Sequence, residues 1–445
     1  MEMPKIYVNP PRSEWPALTA RCTRQEEEIG ERVAAILAEV RTGGDAALRR
    51  IVRRIEGYLP ETFEVTRERR AEAAKAVSPQ LKAALEQAKA NIEAFHRAQL
   101  PAQVEVETMP GVRCVQRAVA IGRAGLYIPG GKAPLFSTVL MLALPARIAG
   151  CREVILCTPC GRDGRIAPEI LYAADLCGVD RVFALGGAQA VAAMAYGTES
   201  IPRVDKIFGP GNRYVTKAKQ LAGAADVAVD LPAGPSEVLV LADEDARPEF
   251  AAADLLSQLE HDAFASAILV TTSAPLAERV GKALEAQAAK LSRTEIVSQS
   301  LGAYCAADLC GSLDEAFAVA NEIAPEHLEI LTADPSGDLV RVRNAGSVFL
   351  GAYTPEPLGD YFAGTNHVLP TNGTARFSSP LSVDDFVKKM SYLQYDRASL
   401  LDAAADIIRF AECEGLDAHA ESVRIRTREK PSESEKLSVG GEMSE

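Results

Sequence analysis

The residues best suited to chemistry in this sequence are its histidines, because four of the five lie after residue 260 and each has a carboxylate or an amide nearby. Gln258 and His261 are three residues apart in a segment that the sequence pattern predicts to be helical over residues 254–263. Side chains at this spacing lie on one face of a helix, where both can bind one metal ion. A polar, solvated helix face is the ordinary explanation of the same spacing. The pair is a candidate for two metal ligands.

Glu326 and His327 are neighbouring residues that can both move protons. They follow Ala324-Pro325, which indicates the start of a short helix or a turn. A base that activates water and an imidazole that carries a proton are the two groups that oxidation of an alcohol to an acid requires. The alternative is an exposed loop dipeptide without a catalytic role.

Asp360 lies in a segment rich in Gly and Pro, residues 355–367, which follows a predicted strand and ends at His367. Functional groups of α/β proteins commonly lie in such segments. One carboxylate, two or three imidazoles and a neutral amide would leave a divalent ion with net positive charge. Such an ion can bind an amino alcohol or an imidazole, so Asp360 is a third candidate ligand.

Glu414 and His419 form a further polar pair near the end of a predicted helical region. They are five residues apart, which is too far round a regular helix for the two side chains to share a face. A turn near Gly415 would be needed to bring them together. Taken alone, the pair is better explained as a solvated helix end.

A nucleotide-binding fingerprint is missing from the sequence. In Gly209-Pro-Gly211-Asn-Arg-Tyr214 a tyrosine stands where the third glycine of Gly-x-Gly-x-x-Gly would be, and Gly130-Gly131 and Gly186-Gly187 are isolated pairs. Glycine motifs therefore do not predict NAD binding here.

The elements that must position these residues change character along the chain. The first hundred residues are mainly helical: apolar residues recur with helical spacing from Val33 to Val40 before Gly43-Gly44, and an alanine-rich stretch over residues 68–98 predicts one or two more helices. After Gly125, short apolar runs alternate with helical segments, which indicates βαβ units and parallel sheets. The predicted strands cover residues 154–157, 181–185, 238–241, 268–271 and 347–350.

The predicted fold class is α/β, with two Rossmann-like domains built on parallel sheets, a helical N-terminal region and a small helical C-terminal segment. The two groups of strands meet between Gly209 and Pro235. We expect an N-terminal arm, a first α/β domain with most of the candidate site residues, a second α/β domain, a helical segment and a disordered tail rich in Ser, Glu and Lys. The arm is expected over residues 1–24, the first α/β domain over 25–126 with 237–381, and the second α/β domain over 127–236. The helical segment is expected over 382–428 and the tail over 429–445.

Composition narrows the function classes. A formal charge of −13 and a pI near 5.1 argue against nucleic-acid or anionic-membrane partners. The first 24 residues carry four prolines and no apolar run, so neither a signal peptide nor a membrane span is expected, and the predicted location is the cytoplasm. Nine scattered cysteines predict buried thiols and no disulfide framework, and Cys157 and Cys160 have redox spacing without a second pair to complete a zinc site.

Several strings, in the same order along the chain, make the sequence resemble histidinol dehydrogenase, from about residue 5 to Arg426. They are Gly125-Leu-Tyr127-Ile-Pro-Gly-Gly131, Gly186-Gly-Ala-Gln189, Phe208-Gly-Pro-Gly-Asn212, Asp230-Leu-Pro-Ala-Gly-Pro-Ser236, Ser257-Gln258-Leu-Glu-His261, Ala324-Pro-Glu326-His327, Gly359-Asp360-Tyr, Asn366-His367-Val-Leu-Pro and Glu414-Gly-Leu-Asp-Ala-His419. So many ordered matches do not arise by chance.

The resemblance implies a site for each candidate residue. It implies one zinc ion per subunit, held by Gln258, His261, Asp360 and His419. It implies proton transfer by Glu326 and His327, and an NAD site in the domain of residues 127–236, lined by Tyr127, Gln189 and Asn212. It implies substrate contacts by Ser236, His367 and Glu414, together with Gln258, His261, His327, Asp360 and His419.

The resemblance also implies an activity and an assembly. The activity is the four-electron oxidation of L-histidinol to L-histidine through a bound aldehyde, which consumes two NAD per turnover and completes histidine biosynthesis. The assembly is a homodimer in which the C-terminal segment enters the partner's active site, so Glu414 and His419 would serve the neighbouring subunit and need not share a helix face.

Three other enzymes remain as alternatives from the sequence. The nearest is a homologous zinc and NAD dehydrogenase of another polyol, such as a sulfonated propanediol, although the carboxylate of Glu414 suits a cationic amine and would repel a sulfonate. The others are a cysteine-dependent aldehyde dehydrogenase, which needs a reactive thiol, and a zinc hydrolase without redox chemistry. A non-enzymatic scaffold does not explain the clustered titratable groups.

Overall fold

The computed structural model describes residues 5–15, 26–56, 59–130, 134–161, 164–231 and 234–428. The predicted disordered tail, 429–445, and residues 16–24 of the predicted arm lie outside the described residues. The chain divides into two compact units: a main unit within residues 1–100 and 120–387, and a C-terminal unit within 101–119 and 388–445. No helix in the described part of the chain is long and apolar enough to cross a membrane.

The strands of the described residues form three sheets. In chain order they are β1 Lys5–Val8, β2 Glu64–Val65, β3 Val104–Met109, β4 Val112–Ala120, β5 Arg123–Tyr127, β6 Glu153–Thr158, β7 Arg181–Ala184, β8 Lys206–Phe208, β9 Ala228–Val229, β10 Glu237–Ala242, β11 Ser266–Thr271, β12 Cys305–Leu309, β13 His327–Leu331, β14 Ser347–Leu350 and β15 Val387–Tyr395. The five runs predicted from apolar pattern correspond to β6, β7, β10, β11 and β14.

Helices follow most of the strands. In chain order they are α1 Glu26–Ile55, α2 Arg67–Ala74, α3 Pro79–Arg97, α4 Phe136–Ala149, α5 Pro168–Leu176, α6 Gly187–Tyr196, α7 Arg213–Gly223, α8 Pro248–Leu259, α9 Ala274–Ala288, α10 Thr294–Tyr304, α11 Leu313–Ile323, α12 Pro335–Asp338, α13 Glu356–Tyr361, α14 Arg397–Cys413 and α15 Asp417–Arg428. The alanine-rich stretch forms α2 and α3, as predicted.

Helix α1 continues past the glycine pair that was predicted to end it. Gly44 has φ +49°, which breaks the regular helix there, and the chain then resumes a helical path as far as Ile55. The carboxylate of Glu199 accepts the Asp45 N–H at 2.7 Å, so the second half of α1 receives a cap from a distant loop. Sequence spacing alone could not reveal this long-range cap.

The first sheet has the order β2-β7-β6-β5-β8-β9. Its strands pair in parallel except β2, which pairs antiparallel to β7 and corrects the expectation of a purely parallel sheet. One face packs against α3, α4 and α5, and the other against α1, α6 and α7. Burial on both faces accounts for the continuous apolar runs in β6 and β7.

The second sheet is parallel throughout, with the order β1-β12-β11-β10-β13-β14. Helices α8, α9 and α10 cover one face and α11 covers the other. The expected grouping of residues 25–126 with 237–381 is corrected here, since β2, β5 and α1 belong to the first sheet. The physical reason is packing: Val33, Leu37 and Val40 of α1 belong to the buried apolar cluster that α6 and α7 form with β5, β6 and β7.

The C-terminal unit contains a three-stranded sheet of order β15-β4-β3, in which β3 and β4 form an antiparallel hairpin. The segment 382–428 is therefore not wholly helical, as was predicted, because β15 precedes α14. Helix α14 begins only after Asp396, whose carboxylate caps the Ser399 N–H at 2.7 Å. The strand β15 is mostly exposed, so it lacks the half-buried alternation by which a strand is recognised in sequence.

Candidate active site

The centre of the candidate site is the N-terminal edge of the second sheet, where β10 and β13 begin. Glu326 and His327 are not in a turn or short helix, as predicted: Ala324, with φ +51°, ends α11, and His327 is the first residue of β13. Both side chains are buried, with 7% and 3% of their surface exposed. The alternative of an exposed loop dipeptide is therefore excluded.

The backbone of Glu237 orients both of these side chains. Its N–H donates to Oε2 of Glu326 at 2.9 Å, and its carbonyl oxygen lies 3.0 Å from Nδ1 of His327. Because a carbonyl can only accept, Nδ1 carries the hydrogen, and Nε2 is left as the proton-accepting atom of neutral His327. This Nε2 is buried without a hydrogen-bond partner and lies 3.8 Å from Oδ1 of Asp360.

Three side chains beside His327 form a cluster of metal-type ligands. Ligand atoms of His261, Glu356 and Asp360 all lie within 4.8 Å of one another. Asp360 does follow β14, as predicted, but it lies on the short helix α13 with Glu356 one turn before it. One imidazole and two carboxylates are donors that divalent zinc and similar ions bind.

Gln258 is the fourth candidate of this cluster. Helix α8 ends at Leu259, so His261 lies in the turn after it and not on the predicted helix face. The His261 N–H donates to the Gln258 carbonyl oxygen at 3.1 Å. The side chain of Gln258 is 1% exposed, and neither its amide oxygen nor its amide nitrogen has a hydrogen-bond partner. Leaving a buried amide unpaired costs about 1–3 kcal/mol, which a ligand of that oxygen would offset.

The site is strongly polarised. Burial alone would raise the pKa of Asp360, but the imidazoles of His327, His367 and His261 lower it to about 2. Burial opposes protonation of His327, yet the carboxylates of Glu326, Asp360 and Glu356 raise its pKa to about 10. Burial raises the pKa of Glu326 to about 8. Groups whose pKa values are displaced this far by burial and close charges are typical of catalytic sites.

Two buried acidic residues, Glu329 and Asp254, lie next to the cluster of metal-type ligands. Glu329 on β13 accepts the Glu356 N–H at 2.9 Å, and its second carboxylate oxygen is buried without a hydrogen-bond partner, close enough to Asp254 on α8 to interact with it electrostatically. Burial and the neighbouring carboxylate of Asp254 raise the pKa of Glu329 to about 9. The pair therefore connects α8, β13 and α13, the elements that carry Gln258, His327 and Asp360.

Sequence reasoning did not find Glu356, Glu329 or Asp254. The available signal was spacing by one helical turn: Asp254 precedes Gln258 by four residues, and Glu356 precedes Asp360 by four. Interpreting residues 355–367 as a loop hid the second of these relations.

Two further predicted substrate residues lie in this region of the main unit. The His367 ring is held by the Asp360 carbonyl oxygen, 2.9 Å from Nδ1, and by the Thr138 hydroxyl, 3.3 Å from Nε2. Ser236 immediately precedes β10, next to Glu237, and is half-buried. Glu414 and His419 belong to the C-terminal unit, where both are exposed and Gly415, with φ +72°, makes the predicted turn between α14 and α15.

The three candidate NAD residues lie at the C-terminal edge of the first sheet: Tyr127 ends β5, Gln189 follows β7 and Asn212 follows β8. The Tyr127 hydroxyl accepts the Gly187 N–H at 3.1 Å. The Gln189 amide donates to Glu56 at 3.0 Å, a partner that sequence reasoning missed. Asn212 caps α7 by accepting the Tyr214 and Val215 N–H groups at 3.0 and 3.2 Å.

The cysteines do not offer a catalytic thiol in this region. Five of the eight described cysteines are buried, as predicted, and Cys413, in the C-terminal unit, is the exposed one of these eight. Burial raises the pKa of Cys305 and of Cys310 to about 12, which keeps both thiols protonated and unreactive.

Parallel α/β sheets with a buried acid–imidazole pair beside a cluster of metal-type ligands define an α/β enzyme of acid–base chemistry. The family model described as histidinol dehydrogenase matches residues 19–427, so the chain belongs to the histidinol dehydrogenase family.

Individual relatives agree with this assignment. A histidinol dehydrogenase from Xylella fastidiosa is 53% identical over 402 residues, which cover 90% of this chain and 93% of that protein. One from Bacteroides fragilis is 49% identical over 429 residues, covering 96% and 99%. The crystal structure of histidinol dehydrogenase from Elizabethkingia anophelis superposes with a TM-score of 0.92 at 42% identity, covering 96% of this chain and 98% of that one.

Proposed function

We propose that the protein oxidises L-histidinol to L-histidine in two NAD-dependent steps through bound L-histidinaldehyde. The observation that carries the proposal is the buried pair Glu326 and His327, oriented by one backbone residue and placed beside the cluster of His261, Glu356 and Asp360. An alcohol and a hydrated aldehyde must each lose a proton as they lose a hydride, so two proton acceptors at one site suit this sequence of steps.

The ligands present fit a zinc ion. Gln258, His261 and Asp360 would hold it, with His419 supplied by a second copy of the chain. Support comes from the ligand atoms of His261 and Asp360, which lie within 4.8 Å of each other, and from the buried Gln258 amide that has no hydrogen-bond partner. When bound, the ion supplies a fixed positive charge that binds the amino and imidazole nitrogens of the substrate.

His327 would accept the hydroxyl proton in the first step. The Glu237 carbonyl fixes its Nδ1–H, so Nε2 is the accepting atom. Its pKa is high because carboxylates surround it, and a cation among those carboxylates would reduce their effect and favour the neutral imidazole that can accept a proton. Tyr127, Gln189 and Asn212 would hold NAD at the C-terminal edge of the first sheet, and the bound dinucleotide would supply the hydride acceptor.

Glu326 would remove a proton from the water that adds to the aldehyde. Oε2 is held by the Glu237 N–H, which leaves Oε1 to contact that water. The overall change is histidinol, two NAD+ and one water giving histidine, two NADH and three protons. Retention of the aldehyde between the steps depends on a site closed to solvent, and both Glu326 and His327 are buried.

We also propose a homodimer in which the C-terminal unit of one subunit completes the site of the other with Glu414 and His419. Support comes from exposed apolar side chains in this unit, among them Leu393 and Phe410, with 68% and 73% of their surface exposed. Apolar surface of this kind is typical of protein interfaces. The free thiols and the acidic composition favour the cytoplasm as the place of action.

The test is an end-point count of NADH. A small, known amount of L-histidinol is oxidised to completion with excess NAD and zinc-loaded protein, and absorbance gives the NADH formed. Two NADH per histidinol are expected. One would contradict the four-electron reaction, and none from folded, zinc-bound protein would contradict the substrate; the sulfonated propanediol would then be tested in the same assay.

A further inference from the structure

A buried ion pair lies next to the loop that carries Asn212. Lys219 on α7 and Asp230, the residue after β9, form this pair with 3% and 9% of their surface exposed. Removing two charges from water is costly, and apolar residues of similar volume often replace such pairs without loss of stability. Stability alone therefore does not explain the pair, and its contacts indicate a further role.

The pair binds both polar backbone atoms of Gly209. Oδ2 of Asp230 accepts the Gly209 N–H at 2.6 Å. Nζ of Lys219 donates to the Gly209 carbonyl oxygen at 2.8 Å and to that of Leu231 at 3.4 Å. One loop residue is thus fixed from two sides by opposite charges.

Gly209 is the point at which this loop crosses the end of β5. Its φ is +115°, and a Cβ added there would lie 2.1 Å from the carbonyl oxygen of Tyr127, so no other residue fits. Three residues later Asn212 caps α7, the helix that carries Lys219. The position of Gly209 consequently sets where Asn212 stands relative to Tyr127.

We propose that Lys219 and Asp230 are positioning residues for the dinucleotide: they hold Gly209 so that Asn212 and Tyr127 keep the spacing that NAD requires. The inference rests on the proposed function, because it takes these two residues as part of an NAD site. Neither member of the pair needs to touch the dinucleotide.

The experiment compares two double variants. K219M/D230L removes both side-chain hydrogen bonds to the backbone of Gly209 without leaving an unpaired charge. R123M/E153L is the matched control: Arg123 and Glu153 also form an ion pair of the first sheet, but at the opposite edge, where β5 and β6 begin. The dissociation constant of NADH is measured by fluorescence titration, together with thermal stability, bound zinc and the separate values of kcat and KM.

K219M/D230L is expected to raise the dissociation constant of NADH and the KM for NAD on the order of tenfold, because a small displacement of a binding group is enough to do so. The KM for L-histidinol, bound zinc and kcat at saturating NAD should stay close to those of the unaltered protein. The control variant should bind NADH normally.

Unchanged NADH binding in folded K219M/D230L, or an equal loss in the control, would overturn the inference. If the double variant does not fold, Lys219→Arg replaces it, since the larger, planar guanidinium in this buried position changes the geometry of the contacts to the two carbonyl oxygens; normal NADH binding by that variant would equally overturn the inference. Failure of the unaltered protein to bind NADH would instead contradict the proposed function.

Discussion

The two parallel sheets of the main unit present their candidate functional residues at opposite edges. In the first sheet these residues end or follow the strands, as Tyr127 ends β5 and Asn212 follows β8, and this C-terminal edge is where ligands of open α/β sheets usually bind. In the second sheet they precede or begin the strands, as Glu237 and His327 do. The first sheet therefore obeys the general rule and the second does not.

The unused edge of the second sheet shows why. Its strand order reverses beside β10, so the crevice expected for a ligand lies between the C-terminal ends of β10 and β13. The Asp243 carboxylate occupies this position and accepts the Ala333 N–H at 2.7 Å, while the Asp243 N–H donates to the Leu331 carbonyl oxygen at 3.3 Å. Hydrogen bonds of the chain itself therefore link the two strand ends at this edge.

The largest effect should come from the acid–base pair. His327→Gln removes the proton acceptor at the second sheet, and kcat should fall about 10²- to 10⁴-fold. Steady-state kinetics with L-histidinol give kcat, and titration of the same protein gives its affinity for NADH. That affinity should not change, since it depends on the first sheet. A kcat within tenfold of the unaltered value would contradict the role of His327.

A smaller effect, a loss of zinc affinity, should follow removal of one candidate metal ligand. Asp360→Asn takes a negative charge from the cluster, and zinc affinity should fall about tenfold to 100-fold. Zinc retained after dialysis against a chelator, measured by atomic absorption, reports this. Asp262→Asn is the matched control, because the Asp262 carboxylate is exposed and accepts only the Phe264 N–H among the hydrogen bonds described. Equal zinc in both variants would exclude Asp360 as a ligand.

The smallest effect should be on stability, at the C-terminal edge of the second sheet. Asp308, close to the C-terminal end of β12, is fully buried with neither carboxylate oxygen hydrogen-bonded, and burial raises its pKa to about 6 from an ordinary value of 3.8. The folded state thus binds its proton more tightly, and stability is lost as pH rises from about 4 to about 6. Asp308→Val should escape this loss and raise the melting temperature at pH 7 by a few degrees.

Melting curves across pH check this prediction. The advantage of Asp308→Val should grow as pH rises from about 4 to about 6 and should be level below and above that range, whereas Asp314→Asn, on the exposed surface of α11, should show no such trend. Enzyme activity should be unaffected. A large loss of activity in folded Asp308→Val would show that the unused edge has a function after all.

The sequence predicted the strands and loops of the first sheet better than the N-terminal edge of the second sheet. Buried strands such as β6 and β10 produce apolar runs that periodicity detects, and glycine-containing strings mark the loops that follow β7 and β8. The N-terminal edge of a strand has no comparable signal, so His327 was assigned to a turn. Resemblance to a family supplied the residues that spacing could not connect.

Other parts could not be predicted because they depend on contacts between distant segments. The link from Asp254 to Glu329 joins a helix to a strand 75 positions later, and the clamp on Gly209 joins three segments. The strand β15 is defined by its pairing with β4, since its own side chains are mostly exposed. Such elements are decided by tertiary structure and not by local pattern.

We propose that residues at the N-terminal edge of the second sheet transfer the protons of both oxidations, and that Glu326 is needed for the second. The most direct test is Glu326→Gln, which keeps an oxygen to accept the Glu237 N–H but removes the base. A known amount of L-histidinol is oxidised with excess NAD and zinc-loaded variant, and both NADH and L-histidine are measured. About one NADH per histidinol and no L-histidine are expected; two NADH, with L-histidine formed at the normal rate, would show that Glu326 is not the base of the second step.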